Sequence, residues 1–322
     1  MSVISDKQAL RRCLKQYLRN IPVVEPFLRW NRMGDDPSSI FLQRVAQVLS
    51  PRTSAVSLLS GEDCACLSAL KKLGFSGETK DELTKSLGLY SKEAWLREVL
   101  EAGMVRRAYV PIRLADPDGN VPDDECLRPI LFVDKTDFIP GRFGIDYRSK
   151  AEEIRATMRT VGCRFLCLDE FDEEILKYCL LPVCEEEGTA LRLTLRTDEE
   201  TEAFFALAAD AGYLHVILRT EQRLQPDLIR RLAGRDRFLL SLNGFQDLPL
   251  ALSVLRLHFI PYESQADSPE MMIGKWAVAR EQLWPALLEA YLPTARTGYP
   301  LTAEKLEEDL IGFLGGTLLE WE

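Results

Sequence analysis

Between Arg164 and Tyr262 five short apolar runs follow one another: RFLCL (164–168), ALRLTL (190–195), LHVIL (214–218), FLLSL (238–242) and HFIPY (258–262). Amphipathic stretches accompany them at 150–161, 173–186, 198–211, 226–233 and 248–257. Apolar strands of this length, each separated from the next by a helical stretch, predict a parallel sheet covered on both faces. Strand–helix repeats at spacings of roughly 20–27 residues suit either a closed barrel or a doubly wound sheet.

Working towards the N terminus decides between the two. IPVVEPF (21–27) reads as a first strand behind a helical stretch at Gln8–Arg19, and Val105–Leu114 and Pro129–Asp134 are two further apolar runs. Eight strands alternating with helices, followed by a helical tail at Pro269–Tyr291, are the pattern of an α/β fold, the (β/α)8 TIM barrel. The segment joining strands two and three, ADPDGNVPDDEC (115–126), is short, turn-rich and acidic. It fits a hairpin as readily as an abbreviated crossover. Residues 35–103 lack a strand pattern apart from Ala55–Leu59, but carry helical patterns at Ser38–Leu49, Glu62–Leu73, Lys80–Leu87 and Lys92–Glu101. They predict a helical insertion after strand one, over the barrel mouth, with a separate helical domain as the alternative. The chain then divides into 1–34 (helix and strand one), 35–103 (insertion) and 104–322 (the remaining barrel and C-terminal helices), one barrel domain overall.

Composition narrows the function classes. The 322 residues are 46% hydrophobic and 28% charged, the balance of a globular protein. Forty basic against fifty acidic side chains give a net charge of −10, which argues against a general nucleic-acid or anionic-membrane surface. Two histidines, His215 and His258, exclude any site built from three or four imidazoles. Eight cysteines scattered through apolar runs, with no CxxC and no zinc-type spacing, predict reduced core residues. The helical stretch at Gln8–Arg19 carries Arg11, Arg12, Lys15 and Arg19 and is no signal sequence, so a soluble cytoplasmic protein is expected. Phosphate-loop, dinucleotide and nucleophile-elbow motifs are absent from the sequence.

In a barrel the C-terminal strand ends carry the chemistry. Read in order, they resemble the uronate (glucuronate) isomerases and related members of the amidohydrolase superfamily. IPVVEPFLR (21–29) is similar to the family's first strand, which ends in an acidic residue, a spacer and His-x-His. RLADP (113–117) resembles its Thr-Thr-Asp-Asp-Pro segment after strand two. Leu242-Asn243 resembles its Leu-Asn turn, and YESQ (262–265) stands where the family has Thr-Asp-Ser-Arg at the end of strand eight. The tail, a Trp-containing helix followed by LTAE (301–304), also fits. This resemblance implies a barrel, a crossover between strands two and three, and uronate isomerisation at a metal centre.

The departures bear on that centre. Phe27 and Arg29 replace the two metal-binding histidines of strand one. Phenylalanine has no lone pair and a guanidinium only donates hydrogens. Glu263 replaces the strand-eight aspartate and keeps a carboxylate that could bind a metal or act as a base. His215 and His258 fall near strand starts, away from the mouth. No metal ligands and no cofactor are therefore expected, although magnesium or calcium bound by carboxylates alone stays open.

Strand ends would bring Glu25, Arg29, Arg113, Asp134, Asp169, Arg196, Arg219, Asn243 and Glu263 to one face. Such a pocket suits a small anionic ligand such as a sugar acid, with arginine forks on its carboxylate. Glu25 and Glu263 are the candidate catalytic proton carriers, and Arg29 a fixed charge in place of the metal. The alternative is an inactive barrel that binds a ligand or regulates, its pocket charges compensating one another. A metal-dependent hydrolase is a weaker reading, because the missing histidines would have activated its water. Self-association into a homo-oligomer is open. DEFDEE (169–174) reads mainly as helix capping, and Trp276, Trp284 and Tyr291 as a core-facing helix stripe.

Overall fold

The computed structural model of the chain describes residues 4, 6–28, 38–49, 60–75, 81, 84–85, 91–116, 124–141, 144–210, 213–297 and 300–322. Among these, seven strands pair in chain order: β1 (Val23–Glu25), β2 (Val105–Arg113), β3 (Leu127–Val133), β4 (Phe165–Leu168), β5 (Ala190–Leu195), β6 (Val216–Thr220) and β7 (Phe238–Ser241). Their order and their helical connections are those of a (β/α) barrel-type fold. Within β2 and β3, Ala108 N donates to Cys126 O at 2.7 Å and Leu114 N to Phe132 O at 3.3 Å. Both bonds join residues 18 apart, so the two strands run in the same direction. The two strands are thus joined as a parallel pair, with a link near the lower limit of about a dozen residues for such a connection. The chain packs as two units, taken one at a time below.

The first unit comprises Met1–Ala108, Pro122–Leu127 and Ser264–Leu314. Its first helix, Lys7–Asn20, opens on Asp6, whose carboxylate accepts from the backbone of Gln8 and Ala9, and it buries Leu10, Leu14 and Leu18. β1 is shorter than the run 21–27, because Pro22 and Pro26 bracket it and offer no N–H to a ladder. It pairs parallel with β2 (Val24↔Arg107, Glu25↔Ala108). The helices Ser38–Leu49, Gly61–Lys72 and Lys92–Gly103 fall where the sequence pattern places them; Ala55–Leu59 and most of Lys80–Leu87 lie outside the described residues. The long helix Pro269–Arg296 runs past the expected end at Tyr291, through Pro285 and Pro293. Its Gly274 permits close packing on the helix Gly61–Lys72: a Cβ there would sit 2.0 Å from the carbonyl oxygen of Ala65. Arg280, buried on the same helix, donates to the carbonyls of Arg19 (2.8 Å) and Ile21 (3.0 Å), and so satisfies the C-terminal end of the first helix.

The second unit comprises Tyr109–Val121, Arg128–Glu263 and Gly315–Glu322. Here β3 to β7 form uninterrupted parallel ladders. The alternation of β4, β5 and β6 sorts their side chains by face. Leu166, Leu168, Leu191, Leu193, Leu195, Val216 and Leu218 share one face and are buried. Cys167, Arg192, Thr194 and Arg219 share the other and are buried as well. The expected eighth strand, His258–Tyr262, is a single parallel bridge between Ser241 and Ile260 rather than a ladder. Ile260 N donates to Leu240 O at 2.8 Å and Leu242 N to Ile260 O at 3.0 Å.

No described helix is long and apolar enough to cross a membrane. All eight cysteines are free thiols and five are buried; burial pushes the Cys163 thiol up to about 11 and those of Cys179 and Cys184 up to about 12.

Candidate functional site

The polar face of the second unit follows from strand register. Cys167 pairs with Arg192, Thr194 with Arg219, and Arg219 with Ser241, so neighbouring strands present these side chains side by side. Arg192 is wholly buried and grips Glu263 with a two-pronged fork, Nε to Oε1 at 3.2 Å and Nη2 to Oε2 at 2.9 Å. Its third nitrogen, Nη1, donates to Cys167 Sγ at 3.3 Å and stands 3.9 Å from Asp169 Oδ1. The Thr194 hydroxyl donates to that same Asp169 oxygen at 2.8 Å. Arg219 donates through Nη2 to Asn243 Oδ1 at 2.7 Å, and its Nε stands 3.9 Å from Glu263 Oε2.

Two guanidinium groups thus face two carboxylates, and the cluster is neutral. Burial works to raise the Glu263 carboxyl, but Arg192 and Arg219 outweigh it and hold it below the usual carboxylate range. Burial also disfavours the Arg192 charge, and Glu263 more than offsets this, so the guanidinium stays protonated. The Cys167 thiol is pushed up to about 11 by burial despite the adjacent Arg192, which leaves it an unreactive thiol at neutral pH.

In the first unit, Glu25 ends β1 with no exposed surface. Its Oε2 accepts from Trp276 Nε1 (2.8 Å) and Ser264 N (3.1 Å); Oε1 accepts from Phe27 N (3.2 Å) and Ser264 N (3.3 Å). Three N–H donors therefore hold both oxygens and tie residues 264–276 to the end of the first strand. Gln265, next along, has a left-handed backbone (φ 46°), a conformation uncommon for a residue with a β-carbon.

Of the nine side chains expected at the strand ends, Asp169, Arg219, Asn243 and Glu263 meet in the second unit's cluster. Arg196 stands at its edge, half-exposed, bound to Glu170 at 2.8 Å and Glu221 at 3.4 Å. Asp134 caps the short turn Lys135–Asp137 by accepting from the Thr136 amide (2.8 Å) and hydroxyl (2.9 Å). Those two bonds, with Arg113 and Lys135 nearby, hold its carboxyl low. Arg113 itself is exposed. Arg29 lies outside the described residues. Glu25 serves the first unit as described.

The sequence reading missed Arg192, Thr194, Ser241 and Cys167 as members of the polar face, and Ser264 and Trp276 as partners of Glu25. Arg192 carried a signal: a charge inside the apolar run ALRLTL has to find a partner when buried. Leu195-Arg196-Thr197 and Leu218-Arg219-Thr220 look alike, yet Arg219 pairs with Thr194, so the two arginines sit two residues apart in register. In the acidic run it is Asp172 that caps, accepting from Glu174 N and Ile175 N.

The residues do not fit the metal centre that the resemblance implies. No group of three His, Cys, Asp or Glu side chains suited to a metal ion occurs among the described residues. Glu25 and Glu263 both have their oxygens engaged by N–H donors, and Phe27 offers no ligand atom. His215, just before β6, stacks on Trp321 at 4.7 Å, and burial lowers its pKa, helped by Arg237.

No family model and no curated protein sequence matches the chain. Solved structures do. A uronate isomerase from Bacillus halodurans aligns with a TM-score of 0.80 at 15% identity, over 99% of this chain and 97% of its own. A candidate metal-dependent hydrolase from Lactobacillus casei aligns with a TM-score of 0.56 at 12% identity, over 96% of each chain. At such identities the likeness is one of fold. Over nearly its whole length this chain is similar in fold to a uronate isomerase, in keeping with the resemblance carried by its strand-end residues.

Proposed function

We propose that the chain is a uronate isomerase-like barrel that binds a small anionic ligand of the sugar-acid class without the usual metal. In this reading the sheet closes into eight strands and residues 35–103 are an insertion after strand one. The observation that carries it is the buried polar face of the sheet, where Arg192, Arg219, Asp169 and Glu263 gather in a chain with the fold of a uronate isomerase. Arg219 is the arginine we assign to a ligand carboxylate: its Nη2 donates to the neutral, exposed Asn243 and its Nε stands 3.9 Å from Glu263. Arg113, Asp134, Asp169 and Arg196 would line the approach.

Aldose–ketose isomerisation moves one proton from C2 to C1 of the sugar acid and the hydroxyl proton from O2 to O1, and Glu25 and Glu263 are the candidate carriers. Both carboxylates are engaged by N–H donors, and Glu263 is held too acidic for an efficient base at neutral pH. This favours the second reading, a barrel that binds its anion without turning it over. Calorimetric titration of the purified chain with glucuronate and galacturonate, with glucose as the uncharged control, tests the binding. Submillimolar binding of a uronate, lost with glucose and weakened at least tenfold by Arg219→Ala, is expected. Equal affinity for glucose, or no uronate binding, refutes it. Product analysis of the same mixtures separates the isomerase from the silent binder.

A further inference from the structure

We propose that the Arg192 guanidinium is the resident cation of the polar face, holding Glu263 where a related barrel would use a divalent metal. The inference draws on the uronate isomerase-like reading only for which cation is replaced; the geometry is this chain's own. Glu263 is the carboxylate that the strand-eight resemblance marks as a ligand. Both its oxygens are taken by one fork, at 3.2 and 2.9 Å, and its side chain is 1% exposed. The soft donor beside it, Cys167 Sγ, and the second carboxylate, Asp169, face the same guanidinium at 3.3 and 3.9 Å.

Arg192 thus engages two carboxylates and a thiol, side chains of the types that ligate metals. It sits mid-strand in β5 with no exposed surface, on a covalent tether that a metal ion lacks. Seating a divalent ion here would require expelling a buried arginine, or placing the ion's charge against it without water to screen either. A guanidinium also differs in chemistry from the ion it replaces. It neutralises and orients a carboxylate, but it cannot coordinate a sugar oxygen or activate a water.

The test uses the full chain, purified without chelator and without metal-affinity resin. Metal content is measured by plasma mass spectrometry, and melting is followed with EDTA, Mn2+ or Zn2+ added. Expected are substoichiometric metal and a melting temperature unmoved by chelator or ions. Arg192→Met should lower the melting temperature by roughly 5–10 °C, because it strands a buried carboxylate. The double variant Arg192→Met/Glu263→Met should recover most of that loss. One metal per chain, with melting that falls when it is stripped, overturns the proposal. So does a double variant no more stable than the single one, since Arg192 would then act by packing and not by charge. Should Arg192→Met fail to fold, Glu263→Gln supplies the comparison and must cost less, and the wild-type metal content decides by itself. Failure of the uronate titration leaves these readouts untouched.

Discussion

Replacing Glu25 by glutamine keeps the shape of a buried side chain and changes only what it can accept. Three N–H groups converge on the carboxylate. Ser264 N lies within 3.3 Å of both oxygens, so it keeps an acceptor whichever way the new amide turns. The other two donors cannot both be served. With the amide nitrogen in place of Oε2, Trp276 Nε1 faces an N–H group; with it in place of Oε1, Phe27 N does. One buried donor is therefore orphaned, at about 1–3 kcal/mol, and the two surviving bonds lose their charge assistance, at about 1 kcal/mol together. The expected loss is about 3 kcal/mol, partly offset because the neutral side chain is easier to bury. Urea unfolding followed by tryptophan fluorescence measures it, and Trp276→Phe alone should cost about 1–2 kcal/mol. In the double variant Glu25→Gln/Trp276→Phe the amide can turn its nitrogen towards the missing indole, so the two losses should fall short of adding by about 1 kcal/mol. A Glu25→Gln chain within 0.5 kcal/mol of wild type, with strictly additive losses, would refute the anchoring role. If that chain also lost uronate binding, Glu25 would be a ligand-facing group.

Gly274→Ala places a methyl 2.0 Å from the carbonyl oxygen of Ala65 and 2.8 Å from its carbon. Backbone atoms cannot swing aside, so the helices Gly61–Lys72 and Pro269–Arg296 must separate, at about 3 kcal/mol or more. Gly61→Ala, with nothing within 4 Å of its new methyl, should be neutral to slightly stabilising in the same thermal melts. Glu263 gives a pH signature. Its folded pKa is lowered, so its contribution is complete above the unfolded value, about 4.3, and is lost as pH falls through the folded value. The stability gap between wild type and Glu263→Gln, measured by urea unfolding from pH 7 to pH 3, should therefore stay constant down to about pH 5 and then shrink. A gap that widens in acid would mean the carboxyl is not held ionised by Arg192.

The periodic part of the fold was legible because its signals are local. Each strand from β4 to β7 is an apolar run long enough to be recognised by itself, and the helices between them carry their own caps, such as Thr197 accepting from Glu200 N. Where backbone chemistry cut a run short, the cause was also in the sequence: Pro22 and Pro26 around β1. The direction of β3 was not legible from local pattern alone, since a turn-rich segment of a dozen residues fits a hairpin as well as a crossover; the family resemblance implied the crossover, and the 18-residue offset of the hydrogen bonds shows the strands parallel.

The candidate site was half legible, and the division has a physical origin. Strand ends can be located from periodicity, so Asp169, Arg219, Asn243 and Glu263 could be nominated together. What each does depends on partners far along the chain. Glu263 is bound by an arginine 71 residues before it, and Glu25 by a tryptophan 251 residues after it. A charge at a strand end reads as available for a ligand; the same charge in mid-strand reads as a misfit in an apolar run. Burial reverses those expectations. Arg192, in mid-strand, is the cation that sets the protonation and position of Glu263, and Glu263, at the strand end, is committed before any ligand arrives. Any activity of this chain must therefore either work around that ion pair or open it. A ligand carboxylate competing for Arg192 would have to break two charge-assisted hydrogen bonds with no exposed surface through which to approach. A ligand carboxylate on Arg219 would compete with the side-chain amide of Asn243, a neutral partner that accepts one hydrogen bond at 2.7 Å, beside Glu263 at 3.9 Å. That difference in cost is why Arg219→Ala, and not Arg192→Ala, is the variant that tests recognition without dismantling the interior.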